Sequence, residues 1–382
     1  MDLFPSHHPL TPPHTEEDRA NWLRLLRSRR VGVATFYRMM REHGDAQTAL
    51  AALPDMAKSA GVSNYEICPE GVVAAELRAG HKAGARLVAR GEPEYPDYLA
   101  MIDDAPPLLW TKGDLSHFER PLIAIVGARN ASSLATRFAR TLARELAQEG
   151  FGIVSGLARG IDTAAHLAGL ESSTIACLAG GLDIVYPPEN AQLHADIGEK
   201  GLLVSEHPFG MKPLARHFPT RNRIVSGLSR ATVVVEAAAR SGSLITAQNA
   251  LDQGRDVMAV PGHPFDARSA GCNLLIRDGA SLIRGARDVI DALADASPIA
   301  RTHEVTPEAA IPVPPAPPEN RDLSDNTVLH MEILSRLSTS ALAEDQLIRD
   351  IGLPSERICA EILCLELEGR VSRKAGGFIA LC

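Results

Sequence analysis

Between residues 93 and 295 the chain alternates short, wholly apolar runs with longer amphipathic stretches, and this alternation restricts the fold more than any other feature. The runs fall at 122–126, 152–155, 174–178, 202–205, 232–236 and 256–260, and the clearest helical segments between them span 134–149 and 245–253. A strand that is apolar on both sides must be covered on both faces, as in a parallel sheet with crossover helices. Right-handed crossovers then give a doubly wound α/β layer whose ligand site lies beyond the C-terminal strand ends. The expected core is a mostly parallel sheet over residues 92–296.

The flanks read differently. Residues 15–91 carry apolar positions at helical spacing (Trp22, Leu25 and Leu26, then Phe36, Tyr37, Met39 and Met40), broken at Gly32, Gly44 and Gly61, which predicts a small helical domain. Residues 1–14, with Pro5, Pro9, Pro12 and Pro13, read as a disordered tail with no secretory signal. Seven prolines between Pro298 and Pro318 make 297–322 an extended linker. Past it, helices at 328–337, 342–352 and 355–369 precede a hairpin with a Gly-Gly turn, the order of a winged helix over 323–382. That last domain holds nine acids against six Lys and Arg, a net charge of −3. Its helix at the position of a recognition helix carries Glu356, Glu361, Glu366 and Glu368 against Arg357, so phosphate would repel it and a protein contact or an autoinhibitory flap is expected.

No run of eighteen apolar residues occurs, so no membrane span is expected. Six cysteines are scattered without a CxxC pair, which points to a reducing cytoplasm and to neither a disulfide scaffold nor a structural metal site. The net charge of −8 excludes a wholly basic coat protein but not a basic patch on an acidic body.

The strand ends carry the chemistry. After the first run comes Gly127-Ala128-Arg129-Asn130-Ala131-Ser132, a small-residue turn entering a helix, able to offer backbone N–H groups and an arginine fork to an anion. The same turn is equally a plain strand-to-helix junction with a solvated arginine. The second run ends in Ser155-Gly156-Leu157-Ala158-Arg159-Gly160-Ile161-Asp162, with Asp162 expected as the helix N-cap. Residues 207–235 contain Lys212, Arg216, Arg221, Arg223 and Arg230 and no acid, and within them lies Phe218-Pro219-Thr220-Arg221-Asn222-Arg223. Arginines suit phosphates, and an exposed aromatic gives a base a stacking surface worth about 1–3 kcal/mol. A solvated charge run is the bland alternative. Ser241-Gly242-Ser243 opens another helix, and Pro261-Gly262 follows the last run. Small residues, hydroxyls and arginines at four strand ends together predict a polyanion groove.

GxGxxG, the GxxxxGK[ST] loop, HExxH and GxSxG are all missing, so no nucleotide cofactor, metal or catalytic residue is expected. His166 and His217 read as hydrogen-bonding residues rather than catalysts.

Taken together, Tyr95-Pro96-Asp97-Tyr98-Leu99, Val126-Gly127-Ala128-Arg129, Ser155 through Asp162 with Ala165-His166, and Gly180-Gly181-Leu182-Asp183 with Tyr186-Pro187 resemble the DNA-processing protein A family (DprA/Smf). Ser205-Glu206, Phe218 through Ile224, Ser241 through Thr246 and Pro261-Gly262 continue the resemblance in the same order. It implies an extended Rossmann-like core and a cytoplasmic protein, not an enzyme, that binds single-stranded DNA, protects it, dimerises, and loads the RecA recombinase during natural transformation. By motif position it implies that Arg129, Phe218, Arg221, Asn222 and Arg223 line the strand groove, with Ser155, Gly156, Arg159, Gly160, Ser241 and Gly242 on phosphates; Lys212 and Arg216 of the same acid-free run are also expected to bind the DNA. It also places a two-fold dimer contact at Ile276 and Leu282. Ala128 departs from the usual Ser. Two other classes stand beside this reading: a nucleotide-processing enzyme of the related phosphoribohydrolase type built around Glu236, and a transcription regulator acting through the winged helix.

Overall fold

The computed structural model describes residues 11–59, 64–295, 326–337, 342–367, 370–374 and 378–381. The chain divides into two units, Met1–Pro298 and Ile299–Cys382. Most of the expected tail and the proline-rich linker lie outside the described residues. The described end of that tail is packed, not loose: Pro13 is buried and Pro12 stands beside Gly91.

Four helices open the first unit, α1 (Glu16–Arg27), α2 (Val33–His43), α3 (Ala46–Ser59) and α4 (Glu70–Lys82). Thr15 starts α1 with a capping box, its Oγ1 accepting from Asp18 N while the Asp18 carboxylate accepts from Thr15 N. A nine-stranded sheet follows among the described residues, made of β1 (Arg86–Ala89), β2 (Leu108–Gly113), β3 (Leu122–Val126), β4 (Gly152–Ser155), β5 (Thr174–Cys177), β6 (Leu202–Ser205), β7 (Ala231–Val234), β8 (Asp256–Ala259) and β9 (Ser281–Leu282). Its helices are α5 (Asp97–Ala100), α6 (Ser133–Gln148), α7 (Ile161–Gly169), α8 (Ala191–Lys200), α9 (His217–Leu228), α10 (Ser243–Asp252), α11 (Ala270–Arg277) and α12 (Ala286–Asp295).

The strand order is β1-β2-β6-β5-β4-β3-β7-β8-β9. Strands β3 to β9 are parallel, and β2 runs antiparallel to both β1 and β6. The order therefore reverses at β3, which opens a crevice at its C-terminal end. All five residues of β3 are buried. Leu122, Ala124 and Val126 pack with Val154 and Ile224 on one face, and Ile123 and Ile125 pack with Leu142, Leu146 and Met258 on the other. This two-residue period with both faces covered is what the uninterrupted apolar runs express.

The sheet begins at Arg86, inside the stretch expected to be a helical domain up to residue 91. Nor do the first four helices bury a separate core. Trp22, Leu23, Phe36 and Met39 share one with Leu87, Trp110, Ala176 and Leu203. Trp110 joins the two layers. Its ring fills the space where a Gly80 side chain would stand, and its Nε1 donates to Glu76 Oε1 at 2.8 Å. Glu76 in turn accepts both Nε and a terminal nitrogen of Arg27, at 2.9 and 2.8 Å, so this nearly buried carboxylate is fully paired.

The second unit contains α13 (Asn326–Arg336), β10 (Leu342–Ala343), α14 (Glu344–Ile351), α15 (Ser355–Leu367), β11 (Val371–Lys374) and β12 (Phe378–Leu381). Its sheet has the order β10-β12-β11, antiparallel throughout, and Leu329, Ile333, Leu347, Ile358, Ile362 and Ile379 form its core. Three helices and a short sheet make the winged helix that the sequence predicts.

His166 on α7 has no access to solvent. Its Nε2 accepts from Leu157 N at 3.3 Å, and its Nδ1 lies 2.7 Å from Thr174 Oγ1. Burial, helped by the charge of Arg221, drives its pKa down to about 3. Unfolding restores an ordinary value near 6.5, so below that pH the unfolded chain binds the proton and the folded one does not. Stability from this residue is complete above pH 6.5 and is lost progressively as the pH falls toward about 3. His207, pushed down to about 4 by burial, acts in the same sense. Urea unfolding at pH 7.5 and pH 5 should show this loss, and His166→Gln should flatten it. An unchanged pH dependence in that variant would assign the acid sensitivity to other groups.

Candidate nucleic-acid interface

At the reversal point the ends of β3, β4 and β7 enclose a cavity of about 650 Å³. From the β3 side, Gly127 turns the chain so tightly that a side chain there would meet Ile161 Cγ1 at 2.6 Å. Ser132 then caps α6, accepting from Ala135 N at 3.1 Å. Its own N–H and hydroxyl donate to the buried Glu236, at 3.0 and 2.6 Å. Glu236 thus ties the end of β7 to the start of α6. Arg129, exposed beside this cap, lays its guanidinium over the Phe218 ring 5.1 Å from the centroid.

From the β4 side, Ser155 is wholly buried and its hydroxyl donates to Ile125 O at 2.7 Å. Leu157 holds φ +54, a left-handed conformation costly for a leucine. Its buried side chain and its N–H bond to His166 fix it there. Asp162 is not the N-cap. That position is Gly160 at φ +76, where any side chain would strike Ala128 O. The Asp162 carboxylate instead accepts from Gly156 N and Ala158 N, at 3.1 and 3.3 Å. Burial raises its pKa against the opposing pull of Arg221.

Arg221 comes from α9. It is 4% exposed and donates to Gly156 O and Cys177 O, both at 2.5 Å, capping the ends of β4 and β5. Gly156 has no space for a side chain because the guanidinium occupies it. Asn222 accepts from Arg221 Nε at 3.2 Å and donates to Gly242 O at 3.4 Å. Across the cavity, Ser241 and Ser243 share a hydroxyl hydrogen bond of 2.8 Å at the entry to α10.

Of the residues named from sequence, Arg129, Gly156, Phe218, Arg221, Asn222, Ser241 and Gly242 come together around this cavity. Ser155, Arg159, Gly160, Lys212, Arg216 and Arg223 do not line it. Arg223 turns the other way, pairing with Glu206 at 2.7 Å and Asp104 at 2.9 Å, and these carboxylates raise its pKa against burial. Arg159 pairs with Glu189 at 2.7 Å, and Lys212 and Arg216 are exposed outside. Phe218 is half-buried rather than exposed. Arg240 and Arg268 line the cavity and went unread. Arg240 directly precedes the Ser241-Gly242 entry, and that adjacency was the available signal; Arg268 belongs to the loop after β8. Asp162 is the single acid among the described lining residues. Ile276 is partly buried on α11, whereas Leu282 on the edge strand β9 is 46% exposed.

Truncating Arg221 orphans two buried carbonyls and leaves Asp162 without its cation. Arg221→Ala should therefore cost about 3–5 kcal/mol. Gly156→Ala should destabilise through the same guanidinium, and Arg129→Ala should stay within about 0.5 kcal/mol of the parent. Denaturant midpoints test this ranking; equal midpoints for Arg221→Ala and Arg129→Ala would deny the buried guanidinium a structural role.

The model of the family described as DNA recombination-mediator protein A matches residues 86–294. Models of a DprA-like N-terminal HHH domain and a DprA winged helix domain match 16–79 and 314–377. Among curated proteins, the DNA processing protein DprA of Streptococcus pneumoniae is 46% identical over 198 residues, 51% of this chain and 70% of that protein. Protein Smf of Escherichia coli is 37% identical over 302 residues, 77% of each. The X-ray structure of the Streptococcus pneumoniae DprA aligns with a TM-score of 0.54 at 35% identity, covering 69% of this chain and 98% of that one. The DprA structure from Helicobacter pylori, described for its single-stranded DNA binding mode, aligns with a TM-score of 0.51 at 30% identity, covering 55% and 96%. The chain belongs to the DNA-processing protein A (DprA/Smf) family.

Proposed function

We propose that this protein binds single-stranded DNA in the cavity at the β3 switch point and delivers it to the RecA recombinase during DNA uptake. The observation that carries the reading is the lining itself: four arginines and a single acid, Asp162, line the cavity beside the starts of two helices, and while Arg221 is engaged by Gly156 O and Cys177 O and Arg268 by Asp266, Arg129 and Arg240 remain to meet an anion. Helix starts offer unpaired N–H groups to phosphate, and arginines supply forked contacts. The single-stranded DNA binding mode described for the Helicobacter pylori relative supports the same ligand class.

A binding role rather than a catalytic one is supported by the state of the acids. Glu236, on which a phosphoribohydrolase-like reaction would depend, is already engaged by the N–H and hydroxyl of Ser132. RecA delivery, protection of the strand and a cytoplasmic site rest on the family resemblance. The two-fold contact through Ile276 and Leu282 is supported by the exposure of Leu282 on the sheet-edge strand β9. Sedimentation of Ile276→Arg, Leu282→Arg should give a folded monomer, and a persistent dimer would place the contact elsewhere.

Phosphate contacts on single strands contribute about 0.7 each to the log–log salt slope. Arg129→Ala and Arg240→Ala should each weaken oligo-dT binding and flatten that slope by about this amount, with melting behaviour unchanged. Unaltered slopes in both variants would mean that these arginines face only water.

A further inference from the structure

We propose that Tyr186, on the loop after β5, is the base-stacking surface of the strand site and extends it by one nucleotide beyond the cavity. This rests on the single-strand reading above. Phe218, the aromatic expected to stack a base, is half-buried and already engaged by two neighbours. The guanidinium of Arg129 lies over its ring, and the Tyr186 ring stands 5.4 Å away, tilted by 52°. Arg129 and Phe218 line the cavity; Tyr186 does not, and it is 45% exposed. The three side chains form a ladder leading out of the cavity, and its outermost aromatic ring is the tyrosine. A base leaving the cavity meets that ring, while Phe218 positions Tyr186 and Arg129.

The loop is held ready for this. Gly181 N donates to Met211 O at 2.9 Å, and the Asp183 carboxylate accepts from Gly210 N at 2.8 and 3.0 Å, clamping both sides of the turn. Asn190, just beyond, donates to Leu157 O at 3.0 Å and ties the segment to the end of β4. A ring held in place loses little entropy on stacking a base. Base stacking is tolerant of sequence because every base has a π-face.

The test compares Tyr186→Leu, Tyr186→Phe and Tyr186→Trp with the parent full-length chain, using oligo-dT and an abasic oligomer of the same length. Tyr186→Leu keeps an apolar contact with Phe218 but removes the aromatic face. It should bind oligo-dT about tenfold more weakly, with the salt slope unchanged, and bind the abasic oligomer as the parent does. Tyr186→Phe and Tyr186→Trp should retain parent affinity. The chain's two natural tryptophans, Trp22 and Trp110, are each 2% exposed, so fluorescence quenching of the new indole by oligo-dT would report a base on its face. A Tyr186→Leu variant that binds oligo-dT like the parent, or that loses the abasic oligomer equally, overturns the stacking role. Failure of the parent itself to bind oligo-dT would instead remove the single-strand reading beneath it.

Discussion

The buried guanidinium of Arg221 holds the site together. Between β6 and β7 the chain must cross the sheet, past β5, β4 and β3, and α9 makes that crossing. Arg221 pins the helix by donating to the carbonyls that end β4 and β5, groups that no ladder partner satisfies. Two residues on, Arg223 fixes the same helix to Glu206 at the end of β6 and to Asp104. Residues two apart on a helix point about 200° away from each other, so both can be buried only on a helix enclosed on nearly every side. That is the state of α9, whose residues 223–228 are all buried. Asn222, between the two arginines, is left to face the cavity and Gly242.

This explains which parts of the chain were legible in advance. Parallel strands buried on both faces write themselves as apolar runs, and β3, β4 and β6 appear in sequence at their true positions. The antiparallel edge was hidden: β1 begins with the exposed Arg86, β2 follows Pro106-Pro107, and neither forms a run flanked by helices. From the sequence no helix is expected over 217–228, a segment that carries Pro219. Yet Pro219 is the third residue of α9, in the first turn, where the missing N–H would have had no intrahelical partner. With the helix unrecognised, the face each arginine presents could not be assigned, and Arg221 and Arg223 looked like equivalent phosphate ligands. Ser155 and Gly160 misled similarly. Both occupy a small-residue turn, but one is small because a buried hydroxyl closes on Ile125 and the other because the chain bends against Ala128.

The winged-helix unit shows the same economy of charge. Its wing arginine, Arg373, pairs with Glu344 at 2.8 Å and reaches Glu366 at 3.7 Å. Arg336 pairs with Glu332 at 2.6 Å. Arg373, one of the cations that the wing would offer to a phosphate backbone, is thus engaged by carboxylates of its own unit. Together with the acid excess on α15, this supports the expectation of a protein contact rather than a polyanion contact for the unit.

How a chain of net charge −8 would hold a polyanion is a question of where its cations are neutralised. Outside the cavity two of the arginines of this region are matched, Arg159 by Glu189 and Arg223 by Glu206 and Asp104. Inside, Arg268 is matched by Asp266, while the remaining three face Asp162 alone among the described lining residues. The Asp162 carboxylate already accepts two backbone N–H groups, from Gly156 and Ala158. The walls are low-dielectric strand ends, which concentrate field lines toward the opening. Pairing of Arg159 and Arg223 outside removes two cations that would compete with the switch point of the sheet for a phosphate. Net charge sets the solubility of the molecule, and the distribution of its ion pairs sets where a phosphate is welcome.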